Sequence, residues 1–527
     1  MQIYPKWIKY DAKHISGEDH LGLLSVGIAI SDILLPGITS ITIRARYYSF
    51  LCWVIEDFWK QSGKKTVANF KIFLRKREMA YIFANISQPN EYGVAGSTKG
   101  NKYWQESGQM ISVNRKYLKN DYGALSLYGN PMVSCNLLVY AGNPVPKTKE
   151  PFGKEAARAF EETISKTSYY LKYLNSEEIP KSVLQEYGEV ASLNMLASKN
   201  SMDREVLRKV FFNINDQDFT SVQRRETLTY LLHIIKHSHE NSLTKQSLRK
   251  VMVKNKWPDK NSYSTPAEFD YISKGWVVFI LRNYYSYCMT VFFSYLLGKL
   301  AWQKGVSYNK LLGLINSELT KKIDLKITLK EFCRNINDIS DYEEMIDKIS
   351  DDPFETNFTD DLIVSLKILG RLYVDLKKLS KENLIYDLIK LGDEDHKSLA
   401  VFIKDWEKWL ENDYTLAGVF QEIFHRYTIV QHHSIATTKL ITTHNETFRF
   451  VNENGVLEFR QPDYPKYNVF RISQALNMIV DLGLAKKEGS YYSITSDGEV
   501  TLDRVLRAAP LVKREVGAID EITDINS

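Results

Sequence analysis

Little in this chain marks it for a covalent or metal framework. Cysteine is scarce: Cys52, Cys135, Cys288 and Cys333 are the four in 527 residues, and no two stand in a C-x-x-C pair. That excludes zinc sites of the paired-cysteine kind and fits a reducing compartment. No long segment is free of charge. The most apolar stretch, Trp276–Leu300, carries Arg282, Asn283 and Lys299, so it reads as a buried helix rather than a membrane span. The opening MQIYPKWIKYDAKH has no apolar core after its charges. A secretory signal is therefore not expected, and the expected location is cytoplasmic. No G-x-x-x-x-G-K-[ST], G-x-G-x-x-G, G-x-S-x-G or H-E-x-x-H occurs, which leaves the commoner nucleotide, hydrolase and zinc-protease chemistries without a motif. No cofactor is expected.

Neither sign of charge dominates. The net charge of +5 permits nucleic-acid binding without requiring it. Its distribution is uneven. Lys245, Arg249, Lys250, Lys254, Lys256 and Lys260 follow one another against Asp259 alone, and Asp338–Asp361 reverses the balance. Such runs are ordinarily solvated faces. The sharper reading of the first is a phosphate-binding strip, with Lys250 and Lys254 as candidate DNA or partner contacts.

What the chain has in quantity is helical periodicity. Apolar residues recur at i, i+3 and i+4 over most of its length, which predicts a mainly α, multi-domain helical body. The length exceeds what one core supports. Composition shifts suggest an N-terminal helical domain with Gly/Asn-rich loops (1–147), a central helical domain (148–310), a helical acidic region (311–413) and a C-terminal part (414–527). Helices are expected over Leu21–Leu35, Thr42–Gln61 and Phe70–Ile86 in the first of these. The Gly- and Asn-rich stretch from Glu91 to Asn143 reads as loops or short strands. Arg44 and Arg46 stand in the first turn of the second helix, where cations oppose the helix dipole. Something else must favour them. An internal carboxylate is the first expectation. An external phosphate is the other, and it keeps both among the candidate DNA- or partner-binding residues. RARYYSFLCWVI (Arg44–Ile55) is echoed by RNYYSYCMTVFF (Arg282–Phe293), suggesting two buried helices each led by an Arg that could pair with a buried acid.

The C-terminal part has a different rhythm. Thr447–Arg460 alternates apolar residues about Asn454-Gly455, a β-hairpin signal. Phe470, Ile472, Ala475, Leu476, Ile479 and Leu482 then form a helical stripe stopped by Gly483. A strand over Leu484–Lys487, a Glu488-Gly489 turn, a strand over Tyr491–Ile494 and a helix from Thr495 to Leu506 follow. This order is similar to winged-helix domains, an α+β module. In DNA-binding winged helices the helix before the wing enters the major groove. Candidate contacts are therefore Arg471, Ser473, Gln474 and Asn477 on the helix, with Lys486 and Lys487 in the wing. Docking of a protein partner is the competing use, and Asp481 and Glu488 weaken the positive face.

Two histidine groups are weak candidates for metal sites. His233, His237 and His239 place two rings on one helix face, but the same segment ends a helix, where histidine suits the dipole. His425, His432, His433 and His444 lie close in sequence with no diagnostic partner spacing. Glu56, Asp57 and Lys60 share a helix, and Pro462-Asp463 begins a nuclease-like pattern that no E-x-K completes. Catalytic residues are not identified.

The segments LLPGITSITIRARYYSF, QHHSIATTKL…TFRF and SQALNMIVDLGL resemble an uncharacterised family of bacterial proteins from phage-defence gene neighbourhoods. That resemblance implies a role in antiviral defence and assigns no catalytic residue. The expected function is a non-catalytic, DNA-associated or scaffold subunit of a defence complex. The alternatives are a metal-dependent nuclease effector and a kleisin-like adaptor that docks a partner ATPase. Double-stranded DNA and protein subunits are the expected partners, and no membrane.

Overall fold

The computed structural model describes residues 18–508 apart from 90, 115–121, 199–200, 239–242, 258–260, 335–340, 350–357 and 393–395. Helix accounts for 64% of it and strand for 7%, so the fold is mainly α. Two compact units divide the chain, and neither is continuous in sequence. One comprises the residues up to Ser31 with Ser273–Val469, and the other Asp32–Ile272 with Phe470–Lys513. This differs from the four consecutive domains suggested by composition, because long-range pairs tie distant segments together.

The second of these units is built on the helix Arg46–Lys60. Every residue from Arg46 to Ile55 is buried. The helix packs on the helices Phe152–Ile164, Met202–Phe211, Val67–Ile86 and Leu125–Ser134. Its aromatics fill the centre: Phe50 stacks on Tyr81 at 4.0 Å, and Tyr47 lies 4.9 Å from Tyr128. Between Glu91 and Asn143, read as loops or short strands, short strands form at Met110–Ser112 and Leu138–Val139, but helices also run over Ser97–Glu106 and Leu125–Ser134. The first of these helices lacks an apolar stripe and is held by tertiary packing. Gly100 sits so close to Ile86 and Ile82 that a β-carbon there would meet Ile86 at 2.6 Å. The basic stretch after His237 is likewise a helix, Lys245–Lys254, started by a reciprocal cap between Thr244 and Ser247.

The other unit is built on the helix Asp270–Ala301, of which it holds Ser273 onward. Tyr285 packs 5.2 Å from Phe402, Phe292 5.6 Å from Phe424 and Tyr295 5.5 Å from Phe358. These contacts draw in the helices Leu399–Glu411 and Phe358–Leu379 and the π-helical turn Ile423–Val430. Among the described residues no helix is long and apolar enough to cross a membrane. The predicted hairpin forms from Phe450–Glu453 and Val456–Phe459. Asn454 and Gly455 take φ of 52° and 82°, as a two-residue turn of this kind requires. Val306–Ser307 adds a third strand that the sequence pattern did not announce. All four cysteines are free thiols.

One buried carboxyl ties fold to pH. Glu78 is 3% exposed and accepts from the amide of Ala124, at the start of the helix Leu125–Ser134. Gly123, at φ +50°, gives it room, since a β-carbon there would fall 1.8 Å from the carboxylate. Burial pushes this carboxyl up to about 7. Between its ordinary 4.5 and 7 the folded state therefore binds more protons at this site than the unfolded chain, and stability falls as pH rises through that window. We expect Glu78→Gln, which keeps an acceptor oxygen, to raise the melting temperature relative to wild type at pH 8 and to leave it nearly unchanged at pH 5. Equal shifts at both pH values in calorimetry would contradict this.

Candidate docking site

The C-terminal elements fall where the sequence pattern places them. A helix spans Ile472–Asp481, strands Ala485–Glu488 and Tyr491–Ile494 pair antiparallel, and a helix spans Ser496–Ala508. Local chemistry explains each junction. Gly483, at φ +68°, ends the first helix, and Leu484 N returns to Ile479 O at 3.0 Å. Thr495 Oγ1 donates to Gly483 O at 2.8 Å and accepts from Gly498 N at 3.1 Å, capping the second helix. Position 498 must be glycine, because a β-carbon would meet Leu484 O at 2.0 Å.

The cations expected to reach outward instead reach inward. Arg44 is 0% exposed. Its Nε lies 3.0 Å from Asp481 Oδ2, Nη1 donates to Tyr92 O at 2.6 Å and Nη2 to Asn194 Oδ1 at 2.9 Å. The same Asp481 oxygen accepts from Ala45 N at 2.8 Å. Burial alone would lower this guanidinium. The Asp481 charge and hydrogen bond outweigh it, and Arg44 stays charged. Arg46, also 0% exposed, spends every N–H it has on Asp203, Ser201 and the carbonyls of Val190 and Ser192. Arg471 is buried against Asp32. As candidate DNA or partner contacts Arg44 and Arg46 are thus corrected: a guanidinium enclosed with its carboxylate cannot reach a phosphate, and Arg471, buried beside a part-exposed Asp32, is engaged internally as well. Asp481, read from sequence as weakening a positive surface, is the internal partner.

Further ties run from the body to the same module. Arg208 donates to Leu482 O at 2.8 Å, at the end of the first helix, and to Asp497 at 2.9 Å. Lys236 lies 3.4 Å from Asp503. Arg249, beside the candidate Lys250 and Lys254, stacks 4.9 Å from the Phe470 ring. Lys250 and Lys254 themselves are half-buried. So are Ser473, Gln474 and Asn477, and Gln474 donates to Ser40 O at 3.2 Å. Every residue from Ile472 to Asp481 is buried or half-buried, and the half-buried ones, Ser473, Gln474, Asn477 and Val480, share one side. On the hairpin, Lys486, Lys487, Glu488, Gly489, Ser490 and Tyr491 are all exposed.

The other candidates are engaged elsewhere. His233 Nδ1 meets Tyr263 Oη at 2.8 Å, His237 Nδ1 meets His233 O at 2.8 Å, and burial holds His233 down at about 4. His239 lies outside the described residues. Among the described residues no group of three His, Cys, Asp or Glu side chains could hold a metal ion. Glu56 accepts from Thr148, Asp57 pairs with Arg77 at 3.0 Å, and Lys60 with Glu161 at 2.8 Å, so that trio serves three separate contacts. His425 packs on Tyr308 and His432 on Phe293, so these two are not brought together. Arg282, the echo of Arg44, forms no ion pair among the described residues: it donates to the carbonyls of Lys397 and Leu23, and burial lowers it to about 10. Comparison of the chain with protein-family models, with curated proteins and with solved structures found no match.

Removing one partner of a buried pair leaves the other charge stranded, at a cost of about 3–5 kcal/mol. We expect Arg44→Met and Asp481→Asn each to destabilise the protein by that order in urea unfolding, and the double variant to lose less than the sum. An Arg44→Met protein of wild-type stability that had lost only DNA binding would restore the external reading.

Proposed function

We propose that the chain is a non-catalytic scaffold subunit of a cytoplasmic bacterial antiviral defence assembly. In this reading the helix–hairpin–helix at the C-terminal end is a winged-helix-like module that docks a protein partner through its hairpin. The observation that carries it is the contrast within the module: an exposed hairpin tip beside a helix whose residues are all buried or half-buried. A groove-reading helix needs a whole side free to contact base edges. A docking wing needs only a rigid, exposed edge, and the pairs from Arg44, Arg208 and Lys236 supply the rigidity. The antiviral setting rests on the resemblance of the LLPGIT…RARYYSF, QHHSIATTKL…TFRF and SQALNMIVDLGL segments. A kleisin-like adaptor docking an ATPase is the same reading with its partner named by class.

A DNA-associated role is the second reading, favoured by Lys486 and Lys487 standing side by side on the hairpin. The two readings differ in salt dependence. Two phosphate contacts give a slope of about −2 in log K against log salt, whereas dedicated duplex binders reach −6 or steeper. Fluorescence anisotropy of the full chain on duplex DNA is expected to show no binding or a slope no steeper than about −2. A partner that co-purifies with the wild-type chain should be lost from a Lys486→Glu, Lys487→Glu variant. A steep slope with no co-purifying partner would overturn the scaffold reading.

A further inference from the structure

The residues of QHHSIATTKL and TFRF gather, with the chain just before the helix Leu23–Leu34, into a donor-rich cluster within one unit. His432 and Lys439 stand two helical turns apart on the helix Gln431–Thr443 and therefore share a face. Both grip the same short backbone stretch: His432 Nδ1 lies 3.0 Å from His20 O, and Lys439 Nζ donates to Asp19 O at 2.6 Å. His432 Nε2 accepts from Arg449 N at 2.9 Å, which fixes that ring as a neutral tautomer. Arg449 then turns its fork on His20, with Nε at 3.1 Å and Nη2 at 2.7 Å from His20 Nε2. Because this nitrogen accepts, the proton of His20 sits on Nδ1, and that donor is buried without a partner. Lys466 completes the group and pairs with Asp463 at 2.7 Å.

Among the described residues positive charge is in excess here. Asp463 answers Lys466, and the carboxylate of Asp19, which accepts from the amide of Ser25 at 2.8 Å, supports the charge of Lys439. Arg449 is met by a neutral imidazole and by the amide of Gln461. Buried or half-buried cations are ordinarily answered by anions, since an uncompensated charge away from water is costly. The surroundings register the excess. Burial first, then Arg449, Lys466 and Lys439 depress His20, and burial lowers Lys439 to about 8. His20, Lys439 and Asp463 are 3%, 2% and 4% exposed, whereas Arg449 and Lys466 are half-buried and Gln461 is exposed. The reachable edge of the cluster is thus a guanidinium and an ammonium with N–H groups to spare.

We propose that this cluster is an oxyanion site that takes a phosphoryl group, held by the Nη1 and Nη2 protons of Arg449 that Gln461 and His20 leave over and by the ammonium of Lys466, with the charge of Lys439 adding field from behind. A planar fork beside point charges suits a doubly charged tetrahedral oxyanion. The phosphoryl group could come from free phosphate or from a nucleic-acid 5′ end, and both present the same oxygens.

The test is calorimetric titration of the full chain with inorganic phosphate, with a 5′-phosphorylated oligonucleotide and with its 5′-hydroxyl counterpart. Phosphate is expected to bind, and Arg449→Gln and Lys466→Gln are each expected to weaken it about tenfold or more. A Lys102→Gln chain, changed at an exposed lysine of the helix Ser97–Glu106, should bind as wild type does, which separates this site from general surface charge. Preference for the 5′-phosphorylated over the 5′-hydroxyl strand identifies a nucleic-acid end as the source, and binding of phosphate alone identifies the free ion. Should Arg449→Gln fail to fold, Lys466→Gln, whose side chain lies at the reachable edge, gives the same reading. Absence of binding to any of the three, or wild-type affinity in Lys466→Gln, overturns the proposal.

Discussion

The pair Arg44–Asp481 is the constraint on which the second unit depends. A guanidinium placed at the start of the most buried helix must be neutralised where it stands, because neither water nor a neighbouring acid in the same helix can do so. The partner it finds is 437 residues away in the chain, at the end of the helix Ile472–Asp481. That requirement folds the C-terminal segment back onto the body and makes one unit of Asp32–Ile272 and Phe470–Lys513. The same Asp481 oxygen serves Ala45 N, so one carboxylate answers both the cation and the open amide at the helix start. The ties from Arg208 and Lys236 repeat the pattern with the polarity unchanged: cations on the body, acids or carbonyls on the module. A module held this way has its inner charges matched, and what it can offer to another molecule is confined to its rim.

This arrangement shows which links of the chain are readable from residue order. Elements with a clear apolar period are legible from residue order, as the helix Val67–Ile86, expected over Phe70–Ile86, and the strand Tyr491–Ile494 show. Periodicity is a local property, and these elements are stabilised by what periodicity measures. Ser97–Glu106 was not legible, since its stability comes from Gly100 meeting the helix Val67–Ile86 rather than from its own pattern. Lys245–Lys254 was hidden by its charge, although the Thr244 and Ser247 cap was a usable signal. The candidate site fared less evenly. An Arg in a first turn announces that a partner exists, and an internal acid was the first expectation. Nothing local says which acid it is. Long-range ion pairs leave no spacing, and so Asp481 and Asp203 were invisible as partners.

The echo between Arg44–Ile55 and Arg282–Phe293 sharpens the point. Two segments alike in residue order reach different electrostatic solutions. Arg44 and Arg46 are given carboxylates, whereas Arg282 is given carbonyl oxygens. Carbonyl dipoles satisfy the N–H groups without cancelling the charge, and burial lowers this guanidinium to about 10. Residue type alone does not separate these outcomes, and the difference arises only once tertiary structure has assigned each cation its neighbours.

Arg449 belongs with Arg282 rather than with Arg44, and it has one further property. Arg282 is sealed, so its charge can act only as a field on its surroundings. Arg449 is half-buried, and its neighbour His20 is forced by the hydrogen bond it accepts to turn a proton toward a place where no acceptor waits. A fold that matches Arg46 down to its last N–H is able to satisfy buried cations fully. That it leaves N–H groups over at the half-buried Arg449 and Lys466, with the buried Nδ1 of His20 behind them, separates this cluster from the structural pairs. Matched charges build the scaffold, and unmatched accessible ones are where a ligand has free energy to gain.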